Sequence, residues 1–149
     1  MRFRYGGIAA AVVVLGLALT ACSDTSAQHE SGASDVATVE PIEGSDVARV
    51  TLSEDAARRL DITTARIREL RGGRQARTAI PYAAVLYDPN GDTWAYTNPE
   101  PLVFVRSPIS VVTIEGNRAV LSAGPPAGTR VVTVGAAELL GTEYEVGEE

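Results

Sequence analysis

The stretch Ala79–Arg106, AIPYAAVLYDPNGDTWAYTNPEPLVFVR, decides the fold of this chain. Three runs in it are rich in β-branched and aromatic residues and predict strands at Ala83–Tyr87, Thr93–Thr97 and Leu102–Arg106. The links Asp88–Asp92 and Asn98–Pro101 favour turns, because Pro fixes φ, Gly allows positive φ, and Asn and Asp bond nearby backbone. The stretch therefore predicts a small antiparallel sheet.

Short β-type runs continue on both sides of this stretch. Ser53 suits the N-cap of a helix at Glu54–Leu60, whose first turn then carries acids that the helix dipole favours. We predict a helical turn at Ala136–Leu140 that ends at Gly141, and an acidic tail, Thr142–Glu149, that frays. The remaining predicted strands are Arg49–Leu52, Ile62–Ile67, Arg77–Ile80, Pro108–Ile114, Arg118–Leu121 and Arg130–Val134. The predicted fold is mostly β, a small β-barrel-like or β-roll-like module of short antiparallel strands with one or two short helices.

The N-terminal residues form a targeting segment. Arg2 and Arg4 precede the apolar run Ile8–Leu19, which has 12 residues and is too short to span a bilayer as a helix. Leu19-Thr20-Ala21-Cys22 follows, and it resembles the lipobox of bacterial lipoproteins. The resemblance implies cleavage before Cys22, the only cysteine, and lipidation of its thiol as a membrane anchor on the extracytoplasmic side of the cell membrane. The alternative is an ordinary signal peptide with an incidental cysteine.

The segment Ser23–Val47 is polar and has no aromatic residue, so we expect a flexible tether. His29, the only histidine of the chain, lies in it and is expected to be a solvated polar residue. Because no histidine falls in the predicted folded part, a Ser-His-Asp triad or a histidine-bound metal is excluded there.

The charge argues against nucleic acid as a partner. All 13 basic residues are arginine, and the formal net charge is −6. Removal of Arg2 and Arg4 with the signal segment leaves 11 arginines against 19 acidic residues, a net charge of −8. A protein that binds nucleic-acid phosphates needs a basic face.

Four segments resemble the periplasmic adaptor subunits (membrane fusion proteins) of bacterial efflux systems. They are VTLSEDAARRLDI at Val50–Ile62, IPYAAV at Ile80–Val85, NGDTWAY at Asn90–Tyr96 and GPPAGTRVVTVG at Gly124–Gly135. Their order fits the C-terminal half of an adaptor, which combines a β-barrel domain with a membrane-proximal domain. The chain departs from a full adaptor because the tether is too short and too polar to supply a lipoyl-like module and a long helical hairpin.

The resemblance implies a division into four parts: a lipoprotein signal peptide at 1–21, the lipidated cysteine and flexible tether at 22–47, an adaptor β-barrel-like segment at 48–80, and a membrane-proximal-like β module at 81–149.

Trp94 and Tyr96 lie two apart on a predicted strand and so share one of its faces. Such aromatics more often stabilise a hairpin by cross-strand contact, but they are also enriched at protein interfaces. With Phe104 and Arg106 on the next strand, they form the candidate partner-contact set.

Two acidic patterns share features with cation sites, but the sequence favours another role for each of them. Asp88, Asn90 and Asp92 have the spacing that opens a calcium loop, but the glycine is at the fourth place and the twelfth place is Pro99, so we predict a turn. We expect the acids of the tail to belong to a solvated terminus rather than to a cation site. They are Glu143, Glu145, Glu148 and Glu149.

Together these features predict a non-catalytic lipoprotein without a cofactor. Its efflux-adaptor-like module would dock against a permease or another envelope protein as an accessory subunit of a transmembrane transport system. The alternative is a free-standing envelope lipoprotein that binds a solute or a metal.

Overall fold

The computed structural model describes residues 36–71 and 77–147. These residues form eleven strands, two α-helices and one 3₁₀ turn at Tyr82–Ala84. The strands are β1 (Ala37–Pro41), β2 (Ala48–Leu52), β3 (Thr63–Arg66), β4 (Arg68–Leu70), β5 (Arg77–Pro81), β6 (Leu86–Tyr87), β7 (Thr93–Glu100), β8 (Val103–Pro108), β9 (Ser110–Glu115), β10 (Arg118–Ala123) and β11 (Arg130–Val134). The helices are α1 (Glu54–Arg59) and α2 (Ala136–Gly147).

The strands form two antiparallel sheets. The larger sheet has the order β1-β2-β8-β7-β11-β3, with β6 also paired to β7, and the smaller sheet has the order β4-β5-β10-β9. The prediction of a mostly β fold of short antiparallel strands with one or two helices is confirmed. The sheets do not close into a barrel.

The centre of the larger sheet, at β7 and β11, is buried on both faces, as the alternation of side chains along these two strands makes clear. On β7, Tyr96 joins a core under the two helices, whereas its neighbour Ala95 joins a second core against the smaller sheet. Val132 and Val131 divide in the same way on β11. Since successive side chains of a strand point to opposite faces, this sheet is the middle layer between the helices and the smaller sheet.

Both helices pack on the same face of the larger sheet. Ser53 caps α1 as predicted, because its Oγ accepts a hydrogen bond of 3.2 Å from the Ala56 N–H. Ala56 of α1 and Leu139 of α2 enter the core that also holds Val50 of β2. Helices this short are only marginally stable on their own, so the burial of their apolar side chains against the sheet holds them in place.

The decisive stretch folds as a three-strand unit, but its boundaries differ from prediction. The run Ala83–Tyr87 begins as the 3₁₀ turn, and only Leu86–Tyr87 is strand. The predicted link Asn98–Pro101 mostly belongs to β7, whose register shifts between Thr97 and Glu100. Pro99 fits that irregularity, because proline cannot donate to a ladder. Leu102 takes a positive φ of 63° in the turn, so β8 begins one residue later than predicted.

The tether prediction is wrong for its last part. Ala37–Pro41 forms β1, which pairs with β2 in a register that sets Val39 opposite Val50. A composition argument misses this strand, because ladder hydrogen bonds to β2 and burial of Val39 offset the ordering entropy of a polar segment. The rest of the tether, Cys22 to Asp35, lies outside the described residues.

The C-terminal prediction is also corrected. α2 runs through Gly141 to Gly147, so Gly141 does not end the helix and Thr142–Gly147 is not a frayed tail. Glu148 and Glu149 lie outside the described residues. Each sheet and each core also combines strands from both sides of the expected division at 80/81.

Candidate functional site

The four candidate contact residues meet on one face of the β7–β8 hairpin. Tyr96 pairs with Arg106, and Trp94 pairs with Pro108, two residues farther along β8. Phe104 lies two residues before Arg106 and therefore shares its face. The shared face predicted for Trp94 and Tyr96 is confirmed, and the pairing of β7 with β8 adds Phe104 and Arg106 to it.

Three of the four do not reach the surface, which corrects the predicted contact set. Tyr96 is 0% exposed, Phe104 2% and Arg106 5%. Their face of the sheet is covered by α2, which is longer than the helical turn predicted at Ala136–Leu140. Only Trp94 retains partial exposure, so these residues do not form a docking platform.

Arg106 is held by contacts on every side of its guanidinium group. Nη2 donates to Glu143 Oε1 at 3.1 Å and to the Asp46 carbonyl at 3.1 Å, and Nη1 donates to the Tyr144 hydroxyl at 3.2 Å. The group also lies 4.5 Å from the centroid of the Trp94 ring, a favourable cation–π contact. Nε alone has no hydrogen-bond partner among the described residues.

Glu143 completes this arrangement from α2. Its Oε1 accepts a 3.0 Å hydrogen bond from the Ala48 N–H as well as the bond from Arg106, and its Oε2 accepts one from the Tyr96 hydroxyl. The carboxylate thus connects α2 to β2, β7 and β8. We call Tyr96, Arg106 and Glu143 the buried ionic cluster; the half-buried Trp94 and the exposed Tyr144 lie at its edge.

The prediction that Glu143 belongs to a solvated terminus is wrong, because this residue lies in α2 and is buried. The signal was present, because Glu143 follows Leu139 by four residues and shares its helix face if the helix continues. Leu139 is fully buried and Glu143 is 5% exposed. The early stop predicted at Gly141 concealed this relation.

The cluster shifts the pKa of two groups. Burial, followed by the hydrogen bond and the negative charge of Glu143, raises the pKa of Tyr96 well above its ordinary range. Burial by itself would lower the pKa of Arg106, but the adjacent Glu143 carboxylate outweighs burial and raises the pKa. Both shifts favour a neutral tyrosine and a charged arginine.

The buried ionic cluster has the geometry of a structural connection. Both oxygens of Glu143 already accept hydrogen bonds from the chain, and Glu143 and Arg106 are almost fully buried. A general base needs a free oxygen within reach of a substrate proton. The arrangement therefore fixes α2 on the sheet and offers no position for a substrate.

The loop Asp88–Asp92 is a turn, as predicted. Asp88 Oδ1 accepts 2.9 Å hydrogen bonds from the N–H groups of Asn90 and Asp92, and Oδ2 accepts one of 3.2 Å from Trp94 Nε1. Partial desolvation alone would raise the pKa of Asp88, but these donors lower it. In 36–71 and 77–147, no group of three or more His, Cys, Asp or Glu side chains is placed to hold a metal.

A surface cleft has the dimensions of a binding site. A cleft of about 780 Å³ lies where β3 and β4 meet β5 and β10. We call it the arginine cleft, because Arg66, Arg68 and Arg118 surround an apolar lining. The other lining residues are Ala65, Ile67, Leu70, Ala79, Ile80, Pro81, Asn117 and Gly128.

The residues of the predicted anchor, Leu19, Thr20, Ala21 and Cys22, and the histidine His29 lie outside the described residues. Within the described ranges, no helix is long and apolar enough to cross a membrane. No family model, curated protein or solved structure matches this chain.

Proposed function

We propose that this chain is a lipid-anchored protein on the extracytoplasmic side of the cell membrane, and that its β domain is a non-catalytic docking subunit of a transmembrane transport system. The observation that carries the proposal is the order of basic residues, apolar run and Leu19-Thr20-Ala21-Cys22, with the only cysteine at the position that receives the lipid.

The length of chain before the domain supports a position at the membrane surface. Fourteen residues separate Cys22 from Ala37, where β1 begins. A chain of that length spans at most about 50 Å when fully extended. The whole domain therefore stays within a short distance of the bilayer and of any membrane protein beside it.

The adaptor-like segments support the transport half of the proposal. Val50–Ile62 supplies β2 and α1, Ile80–Val85 supplies the 3₁₀ turn, Asn90–Tyr96 leads into β7, and Gly124–Gly135 contains β11. All four contribute to the packing of one domain around the larger sheet. The partner that fits is an efflux permease or another envelope protein.

Crosslinking in the native cells tests this function. The wild-type protein is crosslinked in intact cells, purified, and its captured partners are identified by mass spectrometry. We expect a transporter subunit, with crosslinks in the segment 79–134. The matched control is Cys22→Ser, which removes the lipid and should lose the partner. Recovery of the wild-type protein alone, or only as a homo-oligomer, would contradict the proposal.

The arginine cleft favours a second candidate function, a free-standing lipoprotein that binds a solute. Its volume of about 780 Å³ lies in the range of small-molecule sites. A ligand at a concentration 100 times its Kd adds about 2.7 kcal/mol to the free energy of unfolding. A clear rise in Tm with one compound of a solute panel, lost in Arg68→Gln, would favour this function over docking.

A further inference from the structure

Arginine is concentrated at one end of this acidic protein. The strands β3, β4, β5, β9, β10 and β11, with the residue after β4, hold two acids, Glu69 and Glu115, and six exposed arginines. The arginines are Arg66, Arg68, Arg71, Arg77, Arg118 and Arg130. The segments that hold β1, β2 and the two helices, residues 36–62 and 136–147, carry nine acids and three arginines. The charges of the domain are therefore distributed unevenly, with the arginines concentrated on these strands.

The arginine cleft lies at the basic end, and its charges are incompletely neutralised by the described residues. Arg118 pairs with Glu115 at 2.6 Å, but Arg66 donates only to the Gly128 carbonyl, at 3.1 Å. Arg66 also stands directly opposite Arg130 in the β3–β11 ladder. Like charges facing each other across a ladder are unfavourable, so this end of the domain favours an anionic partner.

An exposed aromatic side chain accompanies these arginines. Tyr82 follows Pro81 of the cleft, is 42% exposed, and donates its backbone N–H to the carbonyl of Asn117, another lining residue. Basic residues next to an exposed aromatic side chain are typical of a surface that enters the lipid interface.

We propose that the basic end of the domain docks on an anionic lipid surface. Arg66, Arg68 and Arg118 contact lipid phosphates, and Tyr82 enters the interface between headgroups and acyl chains. The proposal rests on the proposed function in one respect, that the anchor holds the domain near a membrane. Guanidinium groups suit this partner because they bind phosphate oxygens through paired hydrogen bonds.

The net negative charge of the chain does not prevent this docking. From β3 to β1 the larger sheet has five strand-to-strand intervals, which span about 24 Å at about 4.8 Å each. The Debye length at physiological ionic strength is about 8 Å. When the basic end touches the lipid, the acids near β1 and α2 are therefore largely screened from the surface.

Vesicle sedimentation tests the docking without depending on lipidation. The mature chain from residue 22 onward, with Cys22→Ser, contains every described residue and carries no lipid. It is mixed with vesicles of phosphatidylcholine alone or with 40% phosphatidylglycerol, and the bound fraction is measured at low and high salt. We expect binding to the anionic vesicles only, and a loss of binding as salt rises.

A matched pair of double variants locates the contact. Arg68→Gln with Arg118→Gln removes two charges from the cleft, one of which pairs with Glu115 three residues away. Arg58→Gln with Arg59→Gln removes two charges from α1, one of which pairs with Asp55 three residues away. The first pair should weaken binding to anionic vesicles by on the order of tenfold. The second pair should leave it unchanged.

Three results with vesicles would overturn the proposal. They are equal binding to neutral and anionic vesicles, absence of binding to both, and an equal loss of binding in the two double variants. Stronger binding to poly-glutamate than to vesicles would also overturn it and would assign the basic end to an acidic protein segment. A failure here leaves the anchor at Cys22 untouched, and an unlipidated Cys22 in cells would contradict the proposed function without changing the vesicle result.

Discussion

Glu143 connects the C-terminal helix to three strands through one carboxylate. Its oxygens accept hydrogen bonds from Ala48, Tyr96 and Arg106, and its side chain is almost fully buried. A buried ion pair adds little beyond what an apolar pair of similar volume would supply, but loss of one partner leaves a buried charge uncompensated. The stability of the domain should therefore be sensitive to either partner.

Glu143→Ala should lower the free energy of unfolding by about 3–5 kcal/mol, because it leaves the Arg106 guanidinium buried without its counter-ion. Urea unfolding at pH 7 measures the change. Glu145→Ala is the matched control on the same helix, since Glu145 is exposed, and it should change stability by less than about 0.5 kcal/mol. Equal effects of the two substitutions would show that the buried ionic cluster does not stabilise α2.

Tyr96 gives the domain a sensitivity to alkaline pH. Its pKa is raised in the folded state, so between the ordinary tyrosine pKa of about 10 and the folded value the folded chain retains a proton that the unfolded chain releases. The contribution is complete below about pH 10 and is lost as pH rises, with a slope of about 1.4 kcal/mol per pH unit.

Tyr96→Phe should remove this part of the pH dependence. Urea unfolding is measured at intervals from pH 9 to pH 11.5 for the wild type and the variant, and the pH 7 values serve as the reference for the lost hydrogen bond. We expect a flatter curve for the variant above pH 10. Parallel curves would contradict burial of the Tyr96 hydroxyl against Glu143.

At the scale of elements, α2 begins at a position that requires glycine. Gly135 has φ 84°, and a Cβ there would meet the Ile62 side chain and lie 3.2 Å from the Leu60 carbonyl oxygen. The Gly135 carbonyl accepts the first hydrogen bond of the helix, from the Leu139 N–H at 3.1 Å. Gly141, inside the same helix, has open space around its Cα.

Gly135→Ala and Gly141→Ala should therefore have opposite effects. The first should cost about 1–3 kcal/mol, because alanine is strained at positive φ and the site is crowded. The second should gain about 0.5–1 kcal/mol, because alanine favours a helix interior. Thermal and urea unfolding measure both. A stabilising Gly135→Ala would contradict the turn between β11 and α2.

The elements that the sequence predicted well are those with local signals. The strand at Arg130–Val134, the Ser53 cap and the turn at Asp88–Asp92 follow from β-branched runs, capping chemistry and turn residues within a few positions. The elements it missed depend on distant partners. β1 needs β2, and the second half of α2 needs the strands that bury Leu139 and Glu143.

The candidate site shows the same division between local and distant information. Sequence spacing correctly set Trp94 and Tyr96 on one face of β7, and the register of β8 adds Phe104 and Arg106 to that face. It did not say which face the helices would cover, because that depends on the packing of α2 from about 40 residues away. The arginine cleft was missed for the same reason, since Arg68 and Arg118 meet only when β4, β5 and β10 pair.

At the scale of the whole molecule, the proposals describe a small β domain held at a membrane by its N-terminus. Residues 36–71 and 77–147 form a helix layer, a sheet whose central strands are buried on both faces, and a second sheet whose end is basic. In the proposed arrangement the segment from Cys22 to Ala37 limits how far this domain moves from the bilayer. Both the transport function and the lipid docking depend on that limit in the cell.

The intact mass of the protein extracted from native membranes tests the anchor most directly. We predict a chain that begins at Cys22 and carries a diacylglyceryl group on its thiol, with no such species in a Cys22→Ser strain, where the protein should leave the membrane fraction. A mature chain that begins at another residue, or an unmodified Cys22 in a protein free of the membrane, would contradict the account.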